Sequence, residues 1–445
     1  MRRAILCIWF TSAALALLLQ SRPAAAPDYR DVAVDAAKWI RAARVKTADG
    51  VTWPADPADP KSVGATLYSG SPGVVLFLLE LNAATGRREY LDEARRGADD
   101  LVAKLAGEKG AGLYEGVAGL GFVLGETWRA THDEKYRTAA KAVVRIVTER
   151  AAPAGRGVEW SKVTDIISGG AGTGLFLLYA ADTLHDDAAR ALAARAGDRL
   201  LELGVPEKGG TKWAMDPSFP RLMPNFSHGT AGIAYFLATL YKSTREQRFL
   251  DGALAGARYL QAIAKTDGDI CLVQHNQPDG LDLYYLGWCH GPTGTARLFY
   301  QLYTVTGDPA WMTWVGRAAN GILTSGIPRQ RPEGFWNNVS QCCGSAGVAQ
   351  FFLDLHGVTH DAKYLAFAQT MTDDLLARAT RDGQGTRWVQ AEHRVRPELL
   401  VAQTGYMQGA AGIGMWLLRM DAEQRGRAAF VRFPDSPWPA DRPSR

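Results

Sequence analysis

Seven short runs along the chain are apolar at nearly every position, and each is opened by two glycines spaced G-x-x-G. They read SGSPGVVLFLLEL, EGVAGLGFVLGE, SGGAGTGLFLLYA, SHGTAGIAYFLATL, CHGPTGTARLFYQL, CCGSAGVAQFFLDL and MQGAAGIGMWLLRM, with leading glycines Gly70, Gly116, Gly169, Gly229, Gly291, Gly344 and Gly409. An apolar run without a polar stripe predicts a helix covered on most sides. Between the runs lie segments of another kind, such as YLDEARRGADDLVAKLAG, YRTAAKAVVRIVTERAA, FLDGALAGARYLQAIAK and YLAFAQTMTDDLLARAT. Their apolar residues recur at steps of three and four, the period of a helix with one buried face. The repeating unit is therefore an inner helix with an outer partner.

Successive leading glycines are 46, 53, 60, 62, 53 and 65 residues apart, which leaves room for two helices of ordinary length and their connections. Seven such units predict an all-α fold, an α/α toroid with seven inner and seven outer helices. The glycines fall at the inner helices' N-terminal ends, where a missing side chain lets backbones crowd. There the first N–H groups are expected to point, unpaired, into the mouth of the ring. A second recurrence precedes several runs: DGVTWPADP, RGVEWSKV, GGTKWAMDP, EGFWNNV and QGTRWVQAEH each set a tryptophan (Trp53, Trp160, Trp213, Trp336, Trp388) after a glycine turn. Large aromatics of this kind either pack the rim or line a cleft for a peptide or sugar.

The first residues break the pattern. MRR, the 16-residue apolar run Ala4 to Leu19 and the small residues of SRPAAA have the layout of a secretory signal peptide. The run is shorter than the roughly 20 residues a spanning helix needs. The expected organisation is a signal peptide at 1–26, the toroid at 27–430 and a proline-rich tail at 431–445, in a protein that is periplasmic or secreted. Fifty basic and 46 acidic residues give a net charge of +4 with no basic run, so nucleic acid is not an expected partner. Nor is a membrane expected beyond the signal peptide, and the chain is expected to act as a monomer.

Export bears on the five cysteines. Cys7 leaves with the signal peptide, and in an oxidising compartment the other four would most simply form disulfides. Position within the repeat suggests something else for three of them. Just ahead of the leading glycine stand His228 in the fourth copy, Cys289 and His290 in the fifth, and Cys342 and Cys343 in the sixth; Asp165 precedes Gly169 in the third. In a ring, equivalent positions face one mouth. Cys289, Cys342 and Cys343 are thus placed to bind one soft metal ion, with Zn2+ the natural candidate and a fourth position left open. Cys271 reads as a small buried residue, Asp165 equally as a helix cap, and His275, Asp279 and Asp282 as a polar loop over the mouth without an assigned role.

The seven-fold G-x-x-G pattern together with SHGTAG, GWCHGPTG and the Cys-plus-ligand-Gly element resembles the lanthionine synthetase C family, over essentially all of the chain past residue 26. The resemblance implies an α/α toroid holding zinc through a cysteine of the fifth repeat and a Cys-His pair of the sixth. In that family the bacterial cyclases add peptide thiols to dehydroalanine or dehydrobutyrine, forming thioethers. By similarity Cys289 and Cys342 match zinc ligands, His228 the active-site histidine and Asp165 the aspartate before the third motif. Cys343 stands where the cyclases mostly carry histidine, and His290 where they carry tyrosine. The implied chemistry is thiol activation by zinc, with His228 as general acid, Asp165 fixing its tautomer and His290 stabilising the enolate oxygen. The substrate would be a peptide or small-molecule thiol and the acceptor a dehydroamino acid. Two other readings remain at the sequence level: a carbohydrate-active α/α toroid, which would need paired carboxylates, and a zinc-stabilised peptide-binding scaffold without turnover.

Overall fold

The structure is a computed structural model describing residues 28–219 and 221–439. The segment 1–26, expected from sequence to be a signal peptide, and residues 440–445 of the expected tail lie outside the described residues. Fourteen helices make the ring: α1 (Tyr29–Ala42), α2 (Ser71–Thr85), α3 (Arg88–Lys104), α4 (Val117–Thr131), α5 (Glu134–Glu149), α6 (Gly170–Thr183), α7 (Asp187–Leu203), α8 (Thr230–Thr244), α9 (Gln247–Ile263), α10 (Pro292–Thr306), α11 (Ala310–Leu323), α12 (Ser345–Thr359), α13 (Ala362–Ala377) and α14 (Ala410–Gln424). The even-numbered helices are the seven apolar runs and form the inner wall. Each packs on the outer helix that follows it, and the last, α14, packs on α1 from the chain's beginning and on α2, which closes the ring. Among the described residues no helix is long and apolar enough to cross a membrane.

The division of labour follows composition. In α5 the buried residues are Tyr136, Ala139, Ala140, Val143, Val144 and Val147, one stripe of a helix whose other face is wet. In α2 the first eleven residues are all buried. Short antiparallel hairpins join outer helices to the mouth loops: β1 (Val45–Lys46) with β2 (Val51–Thr52), β3 (Ala152–Ala154) with β4 (Gly157–Glu159), β5 (Val205–Glu207) with β6 (Gly210–Lys212), and β7 (Thr380–Asp382) with β8 (Gly385–Arg387). A fifth pair, β9 (Gln390–Ala391) and β10 (Leu400–Val401), brackets a loop at the mouth.

The second glycine of each motif has a steric reason. A Cβ on Gly294 would stand 2.0 Å from the carbonyl oxygen of Trp288, and one on Gly172 2.1 Å from that of Ile166. The same clash, with the carbonyl six residues earlier, recurs at Gly119, Gly232, Gly347 and Gly412. The chain must double back tightly before entering these six inner helices, and only glycine leaves room, whereas a Cβ on Gly73 would meet Tyr406 of another entry loop. That loop also corrects the expectation of unpaired N–H groups. Gly170 donates to Val163, Ala171 to Thr164 and Gly172 to Asp165; Ala231 donates to Pro224 and Ala410 to Gln403. The helix starts are capped by their own entry loops, because buried amides must find partners.

Candidate metal centre

Two residues ahead of each leading glycine, with Ile166 one step earlier in the third copy, the entry loops bond to one another around the whole mouth. The amide of Tyr68 donates to Tyr114 (3.0 Å), Tyr114 to Ile167 (2.9 Å), Ile166 to Ser227 (3.2 Å), Ser227 to Cys289 (2.9 Å), Cys289 to Cys342 (3.2 Å), Cys342 to Met407 (3.0 Å) and Met407 back to Tyr68 (2.8 Å). This closed backbone belt turns a column of the repeat into a circle. Cys289 and Cys342 are neighbours on it, and in five of the seven copies the next residue, Glu115, His228, His290, Cys343 or Gln408, lines the cavity above.

The three cysteines meet there. The sulfur of Cys289 lies 3.1 Å from that of Cys343, which lies 3.5 Å from that of Cys342, and all three fall within 4.8 Å of one another. Every described cysteine is a free thiol, so the disulfide expectation does not hold. Three sulfurs about 2.3 Å from one tetrahedral ion would sit roughly 3.8 Å apart, so the observed spacing suits a shared ion. The donor set is chemically apt as well: three thiols, buried, with the Tyr68 hydroxyl donating to Cys342 at 3.3 Å as their nearest polar support. Gln408 in turn donates its side-chain amide to Tyr68 at 3.0 Å. As a thiol cluster, Cys342 is drawn down because Cys289, Cys343 and Tyr68 all donate towards it, while burial pushes Cys289 up. Cys271 lies apart and is buried, its thiol pushed up to about 12 by burial.

Beside the sulfurs, His228 Nδ1 meets Asp165 Oδ2 at 2.6 Å. Asp165 uses both of its carboxylate oxygens. Its Oδ1 accepts from the amides of Ser168 (2.8 Å) and Gly169 (2.9 Å), holding the turn into α6, and its Oδ2 holds the imidazole. Burial opposes a charge on His228, but the hydrogen bond and charge of Asp165 outweigh it, with Cys342 and Glu115 adding, so the imidazole pKa is raised. His290 is the opposite case: burial, then His228 and His275, holds it well below the usual histidine range. His275 stacks flat on Tyr285 with 4.1 Å between centroids and meets His290 edge-on at 4.5 Å; burial and then Arg394 lower its pKa to about 4.

The cavity over these groups measures about 650 Å³. Two mouth loops wall it: the 275–285 loop, unassigned from sequence, and the β9–β10 loop, whose Arg394 donates to the Tyr285 hydroxyl at 3.2 Å and pairs with Glu333. Of the five tryptophans, only Trp336 lines this cavity. Trp160, Trp213 and Trp388 donate their indole N–H to Val147, Leu200 and Leu375, fastening a hairpin to the end of the preceding outer helix. Trp53 is fully buried. All six site residues expected from sequence therefore sit at one mouth. Sequence reasoning passed over Tyr68, Glu115 and Gln408, although Glu115 and Gln408 occupy the same repeat column as His228, His290 and Cys343.

A family model described as lanthionine synthetase C-like protein matches residues 61–434. No curated protein sequence matches the chain. Among solved structures, nisin cyclase superposes with a TM-score of 0.63 at 16% identity, covering 91% of this chain and 96% of that one. A protein from Listeria innocua gives 0.53 at 12% identity over 90% and 99%, and a GH76 α-mannanase from Bacteroides thetaiotaomicron 0.51 at 11% over 90% and 97%. At such identities these likenesses concern the fold alone.

Proposed function

The chain belongs to the lanthionine synthetase C-like family, and on that premise we propose that it activates a thiol with zinc for addition to a dehydroamino acid, forming a thioether. The observation that carries this reading is the convergence of three buried cysteine sulfurs beside the His228–Asp165 pair in one cavity. Cys289, Cys342 and Cys343 would hold the ion. Its contribution is to keep a substrate thiol as thiolate at neutral pH, where a free thiol of pKa about 8.5 is mostly protonated.

The remaining work falls to side chains. Sulfur adds to the β-carbon of the acceptor, the alkene electrons move onto the carbonyl oxygen, and the α-carbon then takes a proton. His228, whose pKa Asp165 raises, is the donor of that proton. His290 lines the same cavity and offers an N–H to the enolate oxygen. The amides at the inner-helix starts are engaged by their entry loops and do not compete for that role. Tyr68 and Gln408 orient Cys342 from the side. The acceptor is a dehydroalanine or dehydrobutyrine residue and the thiol belongs to a peptide or small molecule. The paired-carboxylate reading is less well supported, since both oxygens of Asp165 are engaged by the turn and by His228.

Elemental analysis of the purified chain is expected to find about one zinc per molecule, the count for a single site of this kind, with Cys289→Ala losing it. The loaded protein should consume a thiol in the presence of a dehydroalanine peptide. Stoichiometric zinc in Cys289→Ala would overturn the site as drawn. The same reading has the chain exported after removal of residues 1–26; N-terminal sequencing of protein recovered from outside the cytosol checks it.

A further inference from the structure

Past α14 the chain does not run over the outside of the ring. Phe433 stacks on Tyr406 at 4.4 Å and lies 5.4 Å from Phe122 of α4; Trp438 stacks on Tyr300 of α10 at 4.2 Å and lies 5.9 Å from Phe351 of α12. Tyr235 of α8 reaches the carbonyl of Pro434 at 3.5 Å. One segment can touch α4, α8, α10 and α12 together only from inside the lumen.

The lumen is built to receive it. Ten residues after each leading glycine stands a polar side chain: Glu80, Glu126, Tyr179, Thr239, Gln301, Asp354 and Arg419. Six pair with their neighbours, Tyr179 with Glu126 (2.8 Å), Gln301 with Thr239 (3.3 Å) and Arg419 with Asp354 (2.7 Å). The seventh, Glu80, accepts the backbone N–H groups of Phe430 (3.0 Å) and Val431 (2.8 Å). Nearer the mouth, Arg297 donates to the carbonyl and carboxylate of Asp435 at 2.8 and 2.9 Å, with only 10% and 1% of the two side chains exposed. Arg297 lies five residues into α10, or ~7.5 Å along the helix from its start. A cavity of about 70 Å³ beside Asp435 is lined by Trp288, Gln341 and Met407. Trp288 and Gln341 immediately precede Cys289 and Cys342, and Met407 is the belt partner of Cys342.

We propose that residues 427–439 form a positioning plug: the segment fills the ring from its far end and, latched by Asp435 on Arg297, holds in place the belt segments that carry Cys289 and Cys342. The inference needs no assumption about zinc or turnover. It explains why a charged pair is buried in the lumen, where removing one partner strands the other.

Hydrogen exchange by mass spectrometry on the full chain, without added metal, tests it. In Asp435→Asn, exchange should rise about tenfold or more in peptides covering 427–439, 286–297 and 340–347, while α5 on the outer wall stays as in the parent, since local opening is confined to coupled segments. Asp435→Glu should recover much of that protection. Should Asp435→Asn not fold, Trp438→Phe, which keeps an aromatic ring against Tyr300, should give the same pattern at smaller amplitude. An increase limited to 427–439, an increase shared by every peptide, or none at all would overturn the proposal.

Discussion

Asp165 shows how one side chain carries two tasks that substitutions can separate. Asparagine keeps an oxygen for the amides of Ser168 and Gly169 but removes the charge that raises the His228 pKa. Alanine removes both. Asp165→Asn should therefore lose only the stability that comes from the His228 pair, whereas Asp165→Ala should lose in addition about 1 kcal/mol for each buried hydrogen bond given up. Under the proposed mechanism His228 acts as imidazolium, so activity falls as pH rises through its raised pKa. The groups facing it are Asp165, Glu115, Cys342 and His290. Both variants should move the alkaline limb of the pH–rate profile to lower pH. Linkage gives the matching sign for stability: the His228–Asp165 contribution is complete below the unfolded histidine pKa and is lost as pH rises through the folded one. Denaturation of parent and Asp165→Asn across that interval should show their difference shrinking with rising pH; a gap that widened would contradict the assigned charge.

The inner helix owes its position to its entry loop, and glycines test that directly. Gly294→Ala drives a methyl group into the Trp288 carbonyl and should cost roughly 2–3 kcal/mol, the scale of overpacking. Gly316 on α11 has open space around its would-be Cβ, so Gly316→Ala should stabilise by about 0.5–1 kcal/mol. Urea titrations of the two variants should shift in opposite directions. These loops also explain what the sequence could reveal. Because every copy enters its helix alike, residues in one column of the repeat share one place in space, and Cys289, Cys342, Cys343, His228, His290 and Asp165 were legible from register alone. Glu115 and Gln408 were legible by the same rule but carry no metal-like or histidine signature. The polar lumen ring was disguised, since one Glu80 or Asp354 near the end of an apolar run reads as the run's edge. Arg394 and His275 lie on mouth loops without counterparts in the other copies, so no register points to them. Helix α1 carries no G-x-x-G, and its partner α14 stands at the other end of the chain, so nothing local marked it as the seventh outer helix.

Closure distinguishes this molecule from an open stack of helix pairs. In an open array each unit touches only its neighbours, the end units fray, and stability is nearly a sum of local terms. Here the first and last helices enter the same joint: α1 packs on α14, α14 on α2, Arg425 bonds Asp28 at 2.9 Å, and the belt is completed by Met407 donating to Tyr68. No unit is terminal, so loosening the joint removes support from both sides at once. Ile40 is fully buried on α1, and among the described residues it lies well away in sequence from every proposed ligand. Ile40→Ala should cost about 2–5 kcal/mol, the range for a buried large-to-small change. The loss should appear as one lowered transition, with helix content by far-UV circular dichroism and tertiary packing by tryptophan fluorescence falling together. An early, separate loss of α1 followed by an unchanged main transition would mean that the joint frays like the end of a solenoid, and that the ring does not depend on being closed.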